Sequence, residues 1–257
     1  MIDLLNPLNL FLALAGGILP ALIWLWFWLK EDGLHPEPRT LIMLAFLVGM
    51  LATAVSYPLE MFVDQHVVSG FTFEKFFLWA FIEEGLKWAA VMFIIVRTPY
   101  FDEPIDAVIY FVTAALGFAA LENAMFLLAP LGQGENIAAL RIENFRFVGA
   151  TLLHVASSAL PGLALAFAFF HSRGTRIGAT ILGLMGAVAL HTLFNFSIIN
   201  SEGKHIYWIF LTLWCTILAI LYACEKIKRM DQNEILAPAI TDLRVAPHSP
   251  LSSISTP

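Results

Sequence analysis

FIEEGLKWAAV, residues 81–91, sets two adjacent carboxylates and an ammonium, Glu83, Glu84 and Lys87, inside a run that is otherwise apolar from about residue 74 to residue 96. A run of that length is what a helix needs to cross a hydrocarbon core about 30 Å thick. Why three charges stand there is answered by the rest of the chain.

The 257 residues are 59% hydrophobic and 13% charged, with a mean hydropathy of +0.78. That composition is far from a soluble globular domain and reads as an integral protein of the lipid bilayer. The formal charge of -6 comes with no basic block, which excludes nucleic acid as a partner. Cys215 and Cys224 are nine residues apart in one presumed helix, too far to bond to each other. The N-terminus lacks the basic stretch of a signal peptide, and its apolar run, about residues 8–29, is too long for one, so it is expected to stay as a membrane span.

Apolar runs long enough to span fall near residues 8–29, 40–58, 74–96, 106–129, 147–170, 177–200 and 205–224. The fold class is therefore all-α: a polytopic transmembrane bundle of about seven helices. Pro58 is expected to end the second span. One transmembrane domain is expected over residues 1–224, and residues 225–257, polar and rich in Pro and Ser, read as a disordered cytoplasmic tail. The polar stretch 131–146 is either a loop or a short helix beside the mouth of a site. With the N-terminus outside, inner segments carry nine Lys and Arg against four outside, which favours an N-out, C-in orientation.

Counted inward from the outer end of each helix, Glu83, Glu84, Glu122, Asn123, His154, His191 and Asn195 all fall roughly 8–15 Å below the outer face. Four helices thus bring polar groups to one layer. An ionisable group at such depth costs at least about 2.5–3.5 kcal/mol unless it pairs or lines a wet cavity. A polar pocket with an outward mouth is the expectation.

Each residue also has a plainer reading. Glu83 and Lys87, four apart, could neutralise each other as a structural ion pair, which leaves Glu84 unexplained. Asn123 could be interhelical hydrogen-bond glue, and Glu122 its neighbour in that role. His154 could be a packing histidine. His191 and Asn195, in HTLFN, share one helix face and could either join two helices or donate hydrogen bonds to an oxyanion. The other histidines, His35, His66, His171, His205 and His248, fall in loops, at a helix end or in the tail and read as solvated. Ala179, Gly183 and Ala187 form a small-residue stripe that predicts close helix packing. The motifs of soluble zincins, serine hydrolases and P-loop proteins are absent.

Carboxylates, imidazoles and an amide in a pocket reached by water suit amide hydrolysis within the membrane. Glu83 or Glu84 would take a proton from the attacking water, with Lys87 tuning their charge, while His191 and Asn195 stabilise the oxyanion. The same groups could hold a divalent metal such as Zn2+, with Glu122, His154 and His191 as ligands and a glutamate as base.

The chain resembles the PrsW-type intramembrane proteases, relatives of the CAAX prenyl protease and bacteriocin-processing group. The resemblance rests on EEGLK, on GFAALEN in the next helix, on His154 in the helix after, on HTLFN in the sixth, and on the acidic, Pro-rich DGLHPEPR after the first span. It covers about residues 30–200 in order. Where the prenyl-protease branch has a histidine in the second motif, this chain has Glu122. The resemblance implies a multi-pass protease of the bacterial cytoplasmic membrane. Its substrate would be a single-span membrane protein such as an anti-sigma factor, cut at the extracytoplasmic side by a metal-dependent or a glutamate mechanism. The competing class is a proton- or ion-coupled transporter using the same Glu and His layer. Against it stand the off-centre layer and the lack of visible repeated halves.

Overall fold

Seven apolar runs become seven long helical stretches, and the residues between them supply the starts and stops. The computed structural model describes residues 6–30, 36–201 and 204–245, excepting the side chains of residues 95, 142, 143 and 231–245. The elements are α1 (Pro7–Trp28), α2 (Arg39–His66), α3 (Phe73–Ala90), α4 (Pro104–Gly132), α5 (Asn136–Phe145), α6 (Thr151–Phe167), α7 (Arg173–Asn200) and α8 (Ile206–Val245). A π-helical turn, Val91–Ile95, extends α3, and another, Arg146–Ala150, joins α5 to α6. Among the described residues there is no strand. His35, His248 and the first residues of the acidic, Pro-rich stretch lie outside them.

The helix starts are capped as their sequences suggest. Asn6 accepts the Leu8 N–H at 2.9 Å ahead of Pro7, and Thr72 and Ser172 accept N–H groups in the first turns of α3 and α7. At α4, Pro104 fills the first position while Asp106 accepts the Glu103 N–H at 2.7 Å.

Six of these stretches are long and apolar enough to cross a membrane: α1, α2, α4, the continuous α5–α6 run, α7, and α8 as far as Met230. The stretch of α3, an 18-residue helix extended by its five-residue π-turn, is the exception, because it carries Glu74, Lys75, Glu83, Glu84 and Lys87. The protein is a multi-pass membrane protein.

Two boundaries differ from the sequence expectation: α8 continues as helix to Val245, past the expected end of its span at residue 224, and α2 does not stop at its proline. Pro58 does not end α2, which runs on to His66. Proline deprives only the Ala54 carbonyl, four residues earlier, of its partner, a loss that membrane helices tolerate where neighbouring groups adjust. Most of the expected loop after residue 58 is therefore helix. Of the two readings of the stretch 131–146, the short helix is the one formed: α5 occupies Asn136–Phe145, with Gly134 at φ +74° turning the chain into it.

The centre of the bundle is α4, enclosed by α1, α2 and α6. Nearly all of Pro104–Ala120 is buried. Its contact with α2 is backbone against backbone: a β-carbon at Gly117 would lie 1.9 Å from the Phe46 carbonyl oxygen, and one at Gly49 would lie 2.0 Å from that of Ala114. The predicted stripe on α7 behaves likewise, with Gly183 set against Leu160 and Pro161 of α6. These close contacts hold α4 against α2 and α7 against α6, and α3 packs on α2 and α7 beside them.

Candidate active site

The polar residues expected at one depth converge from four helices. Glu83, Glu84 and Lys87 of α3 are 5%, 2% and 1% exposed, His154 of α6 is 2% and His191 of α7 is 1%. Lys87 lies three residues after Glu84, and its Nζ donates to Glu84 Oε1 at 2.6 Å. The intrahelical ion pair is therefore Glu84–Lys87 rather than Glu83–Lys87. Glu84 also receives the Ser158 hydroxyl at Oε2, 3.0 Å, and meets His191 Nδ1 at Oε1, 2.8 Å. One carboxylate ties α3, α6 and α7 together.

These partners decide the tautomers. An ionised Glu84 can only accept, so His191 Nδ1–H donates to it and Nε2 is left with a lone pair, 3.8 Å from Glu83 Oε2. The Lys87 ammonium can only donate, so His154 Nδ1, 3.1 Å away, accepts. His154 Nε2–H then donates to Glu122 Oε2 at 2.9 Å. The two imidazoles meet edge to face, with centroids 5.1 Å apart.

The same Glu122 oxygen takes an ion pair from Arg146, in the π-turn before α6. The Arg146 Nε–H also donates to Asn123 Oδ1 at 2.5 Å, and Asn123 Nδ2 donates to the Thr151 hydroxyl at 3.0 Å. Asn123 thus joins α4 to the start of α6, the interhelical role open to it from sequence.

Glu83 is the contrast. Its Oε2 is sealed from solvent and has no hydrogen-bond partner, with His154 Nδ1 and His191 Nε2 each 3.8 Å away. Glu83, His154 and His191 each offer a ligand atom, and these atoms lie within 4.8 Å of one another, a spacing one cation could draw together. Glu122 stands on the other nitrogen of His154.

Glu83, Glu122, His154, His191 and Asn195 all face a cavity of about 880 Å³. The cavity runs from this layer to the end of the bundle where α2, α4 and α7 finish and α3 and α8 begin, past Asp64, Phe71, Ala129, Ile199 and Ile206. The mouth therefore lies at the end that the Lys and Arg count assigns to the outside. Asn195, one turn beyond His191, is half-buried on the cavity wall, where its amide has no hydrogen-bond partner among the described residues.

Three participants escaped the sequence reading. Arg146 was counted there as a loop charge. Ser158 follows His154 by four residues, on the same helix face, a spacing that could have flagged it. Glu60 follows Pro58, which masks it in the sequence; because α2 continues, Thr53, Ser56, Glu60 and Asp64 recur at helical spacing along one wall of the cavity.

At the opposite end, Tyr110 donates to Glu37, the acidic residue of the Pro-rich stretch, which docks that segment against α4. Tyr110 precedes Glu122 by twelve residues, about 18 Å along the helix, so this contact is separate from the site.

Known proteins are similar in sequence over this bundle. Residues 37–222 match the profile described as PrsW family intramembrane metalloprotease. The chain is 29% identical to the Protease PrsW of Oceanobacillus iheyensis over 232 residues, which cover 87% of this chain and 98% of that protein. The Bacillus subtilis Protease PrsW is 28% identical over 207 residues, 77% of this chain and 88% of the relative. That of Geobacillus kaustophilus is 31% identical over 161 residues, 62% and 66% of the two chains. No solved structure matches. Since the matched segment takes in every helix that contributes to the polar layer, this multi-pass cell-membrane protein belongs to the PrsW family of intramembrane metalloproteases and is a peptidase.

Proposed function

We propose that the enzyme cuts a single-span membrane protein close to the outer face of the membrane, with Glu83 taking a proton from the attacking water. The observation that carries this reading is Glu83, which lines the 880 Å³ cavity and whose buried Oε2 has no hydrogen-bond partner and lies 3.8 Å from His191 Nε2. A water there meets two proton acceptors, one of which can pass its proton to the leaving amine. Glu84 holds His191 in the tautomer that keeps Nε2 free, as a carboxylate does for a catalytic imidazole. Lys87 and Ser158 hold Glu84 in turn. Arg146 and Glu122 do the same for His154.

Asn195 supplies an uncommitted amide N–H from the α7 wall and is the donor for the oxyanion of the tetrahedral intermediate. His191, expected from sequence to share that task, fits the proton-accepting one better in the tautomer described. Two imidazoles and a carboxylate suit Zn2+, and Glu83, His154 and His191 are the residues that would hold it. The Lys87 ammonium beside His154 Nδ1 would have to withdraw for that nitrogen to serve as a ligand. When bound, such an ion supplies polarisation of the scissile carbonyl and acidification of water.

An anti-sigma factor with its cleavage site on the extracytoplasmic side is the substrate class that fits the family resemblance and the position of the mouth, in the N-out, C-in orientation. The test is proteolysis of a membrane-anchored candidate by the purified protein, with metal content measured before chelation, after it, and after zinc is restored. Stoichiometric metal, with activity lost and recovered, makes Glu83 a ligand. Full activity in a chelated, metal-free sample makes it the base alone. An active Glu83→Gln variant sinks both roles.

A further inference from the structure

Four carboxylates line the cavity: Glu60, Asp64, Glu83 and Glu122. Asp64 is paired with Lys75 of α3 and Glu122 with Arg146, while Glu83 faces the two histidines. Glu60, one turn before Asp64 on α2, is left over. It has no ion-pair partner among the described residues, and its Oε1 is sealed from solvent with no hydrogen bond. A carboxylate oxygen at this depth is costly unless a partner arrives, and the cavity is the way in.

The wall beside Glu60 says what kind of partner fits. The Trp79 Nε1–H donates to the Glu60 backbone carbonyl at 3.4 Å, which sets the indole alongside. Phe76 packs edge-on to Trp79 at 5.9 Å and is stacked with Phe71 at 6.2 Å, and all three rings line the cavity. These faces already accept a cation, for Lys75 Nζ lies 5.6 Å from the centroids of both Phe71 and Trp79. A carboxylate at the end of an aromatic wall suits a long basic side chain, whose methylenes lie on the rings while its charged head reaches the oxygen. The balance of charge agrees: with Asp64 matched by Lys75 and Glu122 by Arg146, the wall keeps two carboxylates, Glu60 and Glu83, without a cation among the described residues.

We propose that Glu60 is a specificity residue, the counter-charge for a lysine or arginine side chain of the substrate near the scissile bond. The inference rests on the peptidase reading and names a feature of its substrate. Glu60 and Glu83, on neighbouring helices, face the same cavity, so the basic residue belongs to the segment that enters with the bond to be cut.

The experiment uses single-span reporter peptides, identical except for lysine or its uncharged near-isostere methionine, scanned one position at a time around the outer end of the span. They are reconstituted with the full-length protein in phosphatidylethanolamine–phosphatidylglycerol vesicles. At one register the lysine reporter is expected to be cut at least about tenfold faster than its methionine twin, as for a hydrogen bond to a charged group. Glu60→Gln brings that ratio close to one, and Glu60→Lys reverses it in favour of a glutamate reporter. Binding of the same reporters to the Glu83→Gln variant reads the subsite without cleavage and is expected to show the same preference. Equal handling of lysine and methionine at every register by the wild-type protein, or a lysine preference untouched in Glu60→Gln, overturns the proposal. So does loss of cleavage of both reporters alike in Glu60→Gln, which would move Glu60 into the chemistry. A lysine preference in binding with no cleavage of any reporter by the wild-type protein would uphold the subsite and remove the peptidase reading instead.

Discussion

His191 Nδ1 lies 2.8 Å from Glu84 Oε1, and its far nitrogen thereby faces Glu83. Two glutamates adjacent in sequence have opposite situations: Glu84 is held by an ammonium, a hydroxyl and an imidazole, and Glu83 Oε2 by nothing. Glu84→Gln is expected to leave Lys87 buried without its counter-charge, lowering stability by about 3–5 kcal/mol as well as abolishing activity. Glu83→Gln is expected to leave the thermal midpoint in detergent unchanged or raised, while cleavage falls by about 10²–10⁴-fold. Equal losses of stability in the two variants would contradict this division.

Arg146 is predicted to matter through Glu122. Arg146→Met leaves a carboxylate facing the cavity without its cation and should cost about 1–3 kcal/mol, read from thermal unfolding. Combining it with Glu122→Met should recover part of that loss, because no charge is then stranded. A double variant less stable than either single one would show that the pair acts by something other than mutual neutralisation.

Ser158→Ala removes one of three groups that hold Glu84. The expected cost is about 1–3 kcal/mol, with kcat reduced more than KM is raised, because His191 loses definition while the cavity keeps its shape. A change in KM alone would place Ser158 against the substrate instead.

Gly117→Ala tests the scaffold. Its β-carbon would meet the Phe46 carbonyl oxygen at 1.9 Å, where neither backbone can yield without parting α2 from α4. A loss of at least about 1–3 kcal/mol is expected, measured by unfolding in detergent. Gly178, with open space around it, is the control and should tolerate alanine.

The sequence carried the helices and the depth of the polar layer, because apolar length and the spacing of Glu83, Glu122, His154 and His191 are local or additive properties. It did not carry the pairing. Lys87 is three residues from Glu84 and four from Glu83, and only the position of α6 and α7 decides which of them it joins. Arg146 was hidden because a π-turn at the edge of the membrane has no pattern that separates it from a loop. Glu60 was hidden behind Pro58, which breaks soluble helices more reliably than membrane ones.

With five charged residues, α3 is the one long stretch that fails the test of length and apolarity that the other six pass. Each buried charge disfavours partition from the translocation channel into lipid by about 2.5–3.5 kcal/mol, so α3 gains little by leaving the channel alone. Its counterparts lie on α6 and α7, which are synthesised later. Biogenesis is therefore expected to hold α3 back until most of the chain has been translated, so that Glu84 and Lys87 enter the bilayer with their partners on α6 and α7 in place. A truncated or stalled chain would keep α3 exposed at the membrane surface, where it offers the cell's quality-control proteases a mark that the finished enzyme lacks.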